Sequence, residues 1–235
     1  AFDPEGRVLL GHRGGVVTFD AQGAVASTFV SDDPSAFFVD EQRRIIVARG
    51  GTLVADKLQP MVVAATTREG VPRLIEEIPS AVATSKGDRL VADARGRSVI
   101  RIAVDGKYLG VFGTGNISRL AINELEDVAM LDKGTKSITL ADRDGKILGK
   151  VLSKGTGYEL DDPIDLTFDS LGHLYVLDRA TGSVLVFGPK NRFLTSIAIP
   201  EKSPGSFTRA SAFAVDATGR LFIFDERTKR IQVYQ

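Results

Sequence analysis

The chain has 235 residues, and its 30 Lys and Arg residues balance its 30 Asp and Glu residues, so the formal net charge is zero. That balance removes the general attraction to phosphate that a basic excess provides, and it argues against a nucleic-acid partner. The absence of cysteine excludes a disulfide framework, a thiolate nucleophile and a cysteine-ligated zinc site. The longest apolar runs, such as Leu174–Leu177, are far shorter than the roughly 18 residues of a membrane helix, so we expect no direct membrane insertion.

One pattern recurs along the whole chain. Its clearest copies, Phe168–Asp178 and Val215–Asp225, align without a gap, and the following strands stay in register. Fainter copies precede them, and the equivalent inner-strand positions lie 37 to 47 residues apart, at Phe2, Val39, Ala83, Ile122, Phe168 and Val215. Such a period suits four short strands per repeat. The sequence therefore predicts an all-β, six-bladed β-propeller of four-stranded antiparallel blades.

The repeat divides the chain into six predicted blades of one domain spanning residues 1–235. Short apolar runs alternate with Gly, Asp, Asn and Pro turns throughout, which is typical of strands and hairpins. Asp-Gly pairs mark tight turns in the third and fourth blades, at residues 105–106 and 144–145. The predicted blades span approximately residues 1–34, 35–79, 80–117, 118–162, 163–209 and 210–235.

Blade two contains an irregular segment that the repeat does not explain. Taking Met61 to Ala65 as its third strand and Pro72 to Ile78 as its fourth leaves Arg49 to Pro60 as an enlarged loop between the second and third strands. Blade three is regular, with predicted strands at Ser80 to Ala83, Arg89 to Ala92, Val99 to Val104 and Lys107 to Phe112. We expect the loop of blade two to project from the face that carries the longest connections.

Blade six reaches its third strand at Arg230 to Tyr234, where the sequence stops. The sequence predicts that this blade either has three strands or receives a fourth from residues upstream of Ala1. Because the chain begins at Ala1, we expect it to be a domain of a longer protein.

The segment Pro163–Phe187, PIDLTFDSLGHLYVLDRATGSVLVF, resembles the NHL repeat of bacterial six-bladed β-propellers, with its turn glycine at Gly172 and its strand-ending aspartate at Asp178. The resemblance covers the whole chain and is strongest in the last two blades. Blades one and two depart from it, because His12 and Arg49 stand where the other four blades have Asp93, Asp132, Asp178 and Asp225. The resemblance implies a fold whose members bind proteins, bind RNA or act as enzymes, and it favours a periplasmic or cell-envelope location.

No residue pattern predicts catalysis, a metal site or a cofactor. We interpret the recurring strand-ending aspartates as turn residues that accept backbone N–H bonds, since one recurs in each of four repeats. The acidic cluster around Asp161 and Asp162 lacks the ligand spacing of a calcium loop. His12 and His173 fall in different kinds of turn, so we expect them not to share a site.

The predicted function is a non-enzymatic interaction or scaffold module. In a propeller the B-to-C turns (second to third strand) and the D-to-A connections (fourth strand to the next blade) share one face. The candidate binding residues on that face are Arg49, Tyr158, Arg179, Arg209 and Arg227. Basic residues in the B-to-C turns favour a protein or peptide partner with an acidic surface, while the A-to-B turns of the opposite face are acidic.

Two other functions stay open at this stage. The resemblance to lactonase-like and amidating-lyase-like rings implies a hydrolase or lyase with a metal in a central channel. The resemblance to animal NHL proteins implies single-stranded RNA binding, against which stand the zero net charge and the few aromatic residues in the predicted loops.

Overall fold

The computed structural model describes residues 2–3, 5–55, 60–66, 71–198 and 209–234. The chain forms two compact units, Ala1–Leu120 and Ala121–Gln235. The regular structure in the described ranges is β-strand, apart from a single 3-10 turn at Pro189–Asn191. No helix among these residues has the length and apolarity needed to cross a membrane.

The N-terminal unit contains three sheets and one extra hairpin. Phe2 forms a single bridge to Val8 and stands in the place of a first strand in the first sheet. The sheets run in the orders β1-β2-β3, β4-β5-β6-β7 and β10-β11-β12-β13, and β8 pairs with β9. The strands are β1 Val8–His12, β2 Gly15–Phe19, β3 Val25–Val30, β4 Ala36–Val39, β5 Ile45–Arg49, β6 Thr52–Ala55, β7 Met61–Val62, β8 Ala64–Thr66, β9 Pro72–Leu74, β10 Ala81–Ala83, β11 Arg89–Asp93, β12 Ser98–Ile102 and β13 Tyr108–Thr114.

The C-terminal unit also contains three sheets, and its boundary with the N-terminal unit falls inside β14. The sheet orders are β14-β15-β16-β17, β20-β21-β22-β23 and β24-β25-β26, and β18 pairs with β19. The strands are β14 Ile117–Ile122, β15 Val128–Asp132, β16 Ser137–Ala141, β17 Ile147–Val151, β18 Lys154–Gly155, β19 Tyr158–Glu159, β20 Pro163–Phe168, β21 Leu174–Asp178, β22 Ser183–Gly188, β23 Arg192–Ala198, β24 Ala210–Val215, β25 Leu221–Asp225 and β26 Arg230–Tyr234.

These antiparallel sheets are the blades of a six-bladed β-propeller, which confirms the predicted fold class. The last blade has three strands among the described residues, which is one of the two arrangements that the sequence left open. In blade three, the observed strands differ from the predicted ones by at most two residues at either end.

Blade two does not have the predicted enlarged B-to-C loop at Arg49 to Pro60, so the expectation that this loop projects from the face with the longest connections is wrong. Thr52–Ala55 is the third strand and not part of a loop, because β6 pairs with β5 from Arg49 opposite Thr52 to Ile46 opposite Ala55. Met61–Val62 is then the fourth strand, and the additional residues form the β8–β9 hairpin, which we name the arm. The N–H of Val63 donates to the carbonyl of Gly51 at 2.9 Å, so the arm starts beside the B-to-C turn. Residues 56–59, within the segment predicted as a loop, lie outside the described residues.

A repeated turn explains the spacing of the polar residues. In three A-to-B turns (first to second strand) of the C-terminal unit, the side-chain oxygen of the first residue accepts the backbone N–H groups two and four residues later. These first residues are Asn123, Asp169 and Asp216, with distances of 2.8 to 3.0 Å. The fourth position requires a positive φ, which Gly172 supplies at +79°.

The strand-ending aspartates also accept backbone N–H bonds, which confirms their predicted role in the turns. Asp93, Asp132, Asp178 and Asp225 each accept one or two such bonds from the B-to-C turn that follows, at 2.8 to 3.2 Å. Two of these carboxylates, those of Asp178 and Asp225, therefore stabilise the turns that carry the candidate binding residues Arg179 and Arg227.

The apolar core of each unit lies between successive blades. In the N-terminal unit, one buried cluster joins blades two and three, including Ile78, Ile100 and Ile102 at 0 or 1% exposure. In the C-terminal unit, blades four and five share a cluster that includes Leu160 and Phe187. Because each sheet buries its faces against its neighbours, the blade core leaves turns and connections as the surfaces available for function.

Candidate functional site

Two surfaces of the C-terminal unit carry polar and charged side chains at opposite ends of the strands. The loop face consists of the B-to-C turns, the D-to-A connection at residues 152–162, and Arg209. The turn face consists of the A-to-B turns at residues 123–127, 169–173 and 216–220. Each surface is built from three consecutive blades.

The loop face is fixed by hydrogen bonds between its connections and its turns. Asp178 is completely buried, and its Oδ2 accepts the N–H groups of Asp161 at 2.6 Å and Asp162 at 3.1 Å. The Asp162 carbonyl in turn accepts the N–H of Arg179 at 2.9 Å. A D-to-A connection and a B-to-C turn are thereby joined as one rigid surface.

Three of the predicted arginines already have acidic neighbours within the chain. Arg179 contacts the Asp162 carboxylate through Nε at 2.8 Å and Nη2 at 2.7 Å. Arg209 pairs with Glu226 at 3.1 Å. In the N-terminal unit, Arg49 ends β5, and its Nη1 lies 3.8 Å from the exposed carboxylate of Asp32.

The other two predicted residues differ in their surroundings. The Tyr158 ring packs edge-on against Phe187, with centroids 4.9 Å apart, and burial raises the pKa of its phenol. Arg227 is exposed in the turn after β25, and its backbone N–H donates to Asp225 at 2.8 Å. The structure therefore places Arg179, Arg209 and Arg227 on the loop face, while Tyr158 contributes its ring to the core.

Ion pairs on the loop face involve some of its basic side chains and leave others without such a partner among the described residues. The exposed or half-exposed carboxylates of its connections are paired: Asp161 with Lys136 at 2.9 Å, Glu159 with Lys154 at 3.4 Å, Asp162 with Arg179 and Glu226 with Arg209. The basic side chains at this face that form no ion pair with a described residue are Lys133, Arg227, Lys229 and Arg230. Three of these four side chains belong to blade six.

The turn face has a recess of about 220 Å³ that sequence analysis did not predict. Its lining comes from three equivalent triplets, each made of the last residue of a first strand and the two residues after it. The triplets are Ile122-Asn123-Glu124, Phe168-Asp169-Ser170 and Val215-Asp216-Ala217. The repeat alignment did identify the first residue of each triplet as equivalent, so the signal for this site lay in the register of the repeats.

Side-chain contacts hold the second carboxylate oxygens of two lining residues. Asp169 Oδ2 lies 2.9 Å from His173 Nδ1 and accepts the Tyr175 hydroxyl at 3.3 Å. Asp216 Oδ2 lies 2.6 Å from Arg220 Nε. These pairs orient the turn walls, and they leave Glu124 as the exposed carboxylate of the lining.

Asp216 provides a pH-dependent prediction. Burial alone would raise the pKa of its carboxyl group, but hydrogen bonds from Thr218 and Arg220 lower that pKa from 3.8 to about 2. Because the folded-state pKa lies below the unfolded value, the ionised carboxylate stabilises the fold above about pH 4 and loses this contribution as the pH falls toward 2. We expect the free energy of unfolding, measured with urea, to fall less between about pH 4 and pH 2 in Asp216→Asn than in the original chain. An equal loss in both proteins would contradict the assignment.

The described residues contain no group of three or more His, Asp or Glu side chains arranged to hold a metal ion. His12 accepts the N–H of Gly14 at 3.1 Å through Nδ1, and His173 contacts Asp169. The described residues therefore offer no ligand set for the metal that the resemblance to hydrolases and lyases implied. That function stays a prediction.

Comparisons of the sequence with protein-family profiles and with curated proteins give no match. Solved structures do match. An auxiliary nutrient-binding protein from Bacteroides thetaiotaomicron aligns with a TM-score of 0.69 and 12% identity, covering 99% of this chain and 67% of that one. Virginiamycin B lyase from Staphylococcus aureus gives 0.63 and 11%, covering 100% and 82%. A gluconolactonase from Xanthomonas campestris gives 0.62 and 19%, covering 93% and 78%. At these identities the likeness establishes the six-bladed β-propeller fold, which both binding proteins and enzymes use.

Proposed function

We propose that the chain is a non-enzymatic interaction module of the NHL-repeat type that binds a protein or peptide with an acidic surface. The observation that carries the proposal is the set of basic side chains on the loop face, Lys133, Arg227, Lys229 and Arg230, which form no ion pair with a described residue. An acidic partner meets these cations without first breaking an ion pair with any residue that the structure describes. The repeat consensus at Pro163–Phe187 supports the NHL assignment.

Arg227 is the central residue of the proposed surface. Its turn is fixed because the buried Asp225 carboxylate accepts the N–H groups of Arg227 at 2.8 Å and Thr228 at 3.2 Å. A turn held in this way loses little conformational entropy when a partner binds. Arginine is also among the residue types that most often dominate binding energy at interfaces.

The remaining predicted residues have supporting roles. Arg179 and Arg209 are oriented by Asp162 and Glu226, and they keep further N–H groups available to a partner carboxylate. Arg49 is the corresponding candidate in the N-terminal unit. Tyr158 supports the D-to-A connection from beneath through its contacts with Phe187 and Phe193.

A charge-reversal experiment tests the proposed surface. A fluorescent glutamate-rich peptide is titrated with the full chain and with the double variant Arg227→Glu/Lys229→Glu, and anisotropy is recorded. We expect the variant to bind about tenfold or more weakly, because two attractive charges become repulsive at the contact. The melting temperature should change little, since both side chains are exposed.

The matched control is Arg143→Glu/Lys146→Glu, which makes the same change in net charge at a C-to-D turn (third to fourth strand) of the same unit. Arg143 and Lys146 are exposed like the test pair. We expect the control to retain most of the affinity. If both double variants lose affinity equally, the peptide senses only net charge, and the loop face is not the site.

A further inference from the structure

The recess on the turn face lies at the opposite end of the strands from the loop face. Its lining combines an apolar part, Ile122, Phe168 and Val215, with polar turn residues and the exposed carboxylate of Glu124. None of the described residues that line the recess is basic. The chemistry is therefore opposite in sign to that of the loop face.

The recess is preorganised by its own turns. Asn123 Oδ1 accepts the N–H groups of Leu125 at 3.0 Å and Asp127 at 2.8 Å, and Asp169 and Asp216 make the equivalent pairs of bonds. Three independently fixed walls keep the space between them open without a ligand. Binding there requires little reorganisation of the backbone.

The size of the recess limits its occupant. At about 220 Å³ it is smaller than the roughly 300 to 1,000 Å³ typical of sites that enclose a drug-sized molecule. It is suited instead to one side chain of a larger ligand. The apolar walls suit a hydrocarbon stem, and Glu124 suits a cationic end group.

Two exposed leucines extend the surface beyond the recess. Leu125 follows Glu124 and is 71% exposed, and Leu171 follows Ser170 and is 79% exposed. Both residues lie in turns that line the recess, so they offer exposed apolar side chains to a ligand that extends beyond it. The two leucines favour a peptide over a free small molecule as the ligand. When one peptide side chain enters the recess, the peptide residues on either side of it can contact Leu125 and Leu171.

We propose that the turn face of the C-terminal unit binds an extended peptide by inserting one arginine or lysine side chain into the recess beside Glu124, with apolar flanking residues on Leu125 and Leu171. This site is independent of the acidic partner proposed for the loop face. A chain with both sites would join a basic segment and an acidic surface on one rigid scaffold.

The test is an NMR titration of the isotopically labelled full chain with acetyl-Leu-Arg-Leu-amide. We expect shifts of the backbone amide signals of Leu125, Leu171 and Thr218, which lie in the three turns that form the recess. In Glu124→Gln the affinity should fall about two- to fivefold, the range for loss of a partly exposed charge pair. The control Asp144→Asn removes an exposed carboxylate from a C-to-D turn and should bind normally.

Two further ligands test the cationic contact and the flanking apolar contacts separately. A peptide with norleucine in place of arginine should bind more weakly, and n-butylguanidine alone should bind more weakly than the peptide. The proposal is overturned if the turn signals do not shift at millimolar peptide, or if Asp144→Asn weakens binding as much as Glu124→Gln. Equal binding of n-butylguanidine and the peptide would overturn the role of the two leucines.

Discussion

Replacing Asp178 by alanine should lower the free energy of unfolding by about 3 to 5 kcal/mol, among the largest effects of any single polar substitution in this chain. Its buried carboxylate accepts N–H bonds from Asp161, Asp162 and Thr181, at 2.6, 3.1 and 3.1 Å. Alanine leaves three donors without an acceptor at the junction of a D-to-A connection and a B-to-C turn. Urea unfolding followed by circular dichroism measures the loss.

Asp178→Asn distinguishes this role from a simple requirement for a polar side chain. Oδ1 accepts one of the three bonds and Oδ2 accepts the other two, so either orientation of the amide directs its NH₂ group at a backbone N–H. We expect Asp178→Asn to lower the free energy of unfolding by at least half as much as Asp178→Ala does. At Asp142, both turn bonds reach Oδ1 alone, at 3.0 and 2.9 Å, so Asp142→Asn should be nearly neutral.

Limited proteolysis provides a local measurement of the same change. Lys154 lies in the connection that Asp178 holds, and its side chain is 75% exposed. Trypsin should cleave after Lys154 faster in Asp178→Ala than in the original chain. If cleavage and unfolding are both unchanged, Asp178 does not hold the connection.

The regular blades could be predicted from sequence because their strands and turns depend on local patterns. In blade three, alternating apolar residues and the Asp-Gly turn at residues 105–106 predict the strands closely. The turn role of the strand-ending aspartates was interpretable for the same reason, since each accepts an N–H only two or three residues along the chain. The additional bonds of Asp178 to Asp161 and Asp162, 17 and 16 residues earlier, had no such local signal.

Blade two was mispredicted because it offers two apolar segments for one strand position. Thr52–Ala55 is short, and Met61–Ala65 has an equally apolar pattern. The deciding signal is Gly50-Gly51, which favours a two-residue hairpin turn and so directs the chain straight into β6. The side chains of Leu53 and Ala55 are then buried in the core, at 3% and 7% exposure. In a projecting loop they would be exposed to solvent.

The candidate sites were less predictable because they depend on contacts between distant segments. Arg179 looked like an available cation in the sequence, yet Asp162, 17 residues earlier, occupies its guanidinium. The recess likewise requires three strand ends that lie 46 and 47 residues apart. A repeat alignment identifies equivalent positions, but it does not show how much space remains between them.

The arm of blade two gives a second prediction of large effect, at Gly51. A Cβ atom added to Gly51 would lie 1.6 Å from the carbonyl oxygen of Ile75, which is backbone and cannot rotate away. In the same turn, the carbonyl of Gly51 accepts the N–H of Val63 at 2.9 Å, and the carbonyl of Gly50 accepts the N–H of Ile78 at 3.1 Å. Ile75 and Ile78 are 3% and 0% exposed, so moving this segment disturbs the core of blades two and three.

We expect Gly51→Ala to lower the free energy of unfolding by about 3 to 5 kcal/mol, the range of severe core disruption. Gly50→Ala is the matched control, because its Cβ would meet only the Glu76 oxygen at 3.4 Å, although its φ of +56° still adds about 1 kcal/mol of backbone strain. Hydrogen exchange should report faster opening of the Ile75 and Ile78 amides in Gly51→Ala than in Gly50→Ala. Equal losses in the two variants would mean that backbone conformation at the turn, and not the close approach of the arm, determines the stability of blade two.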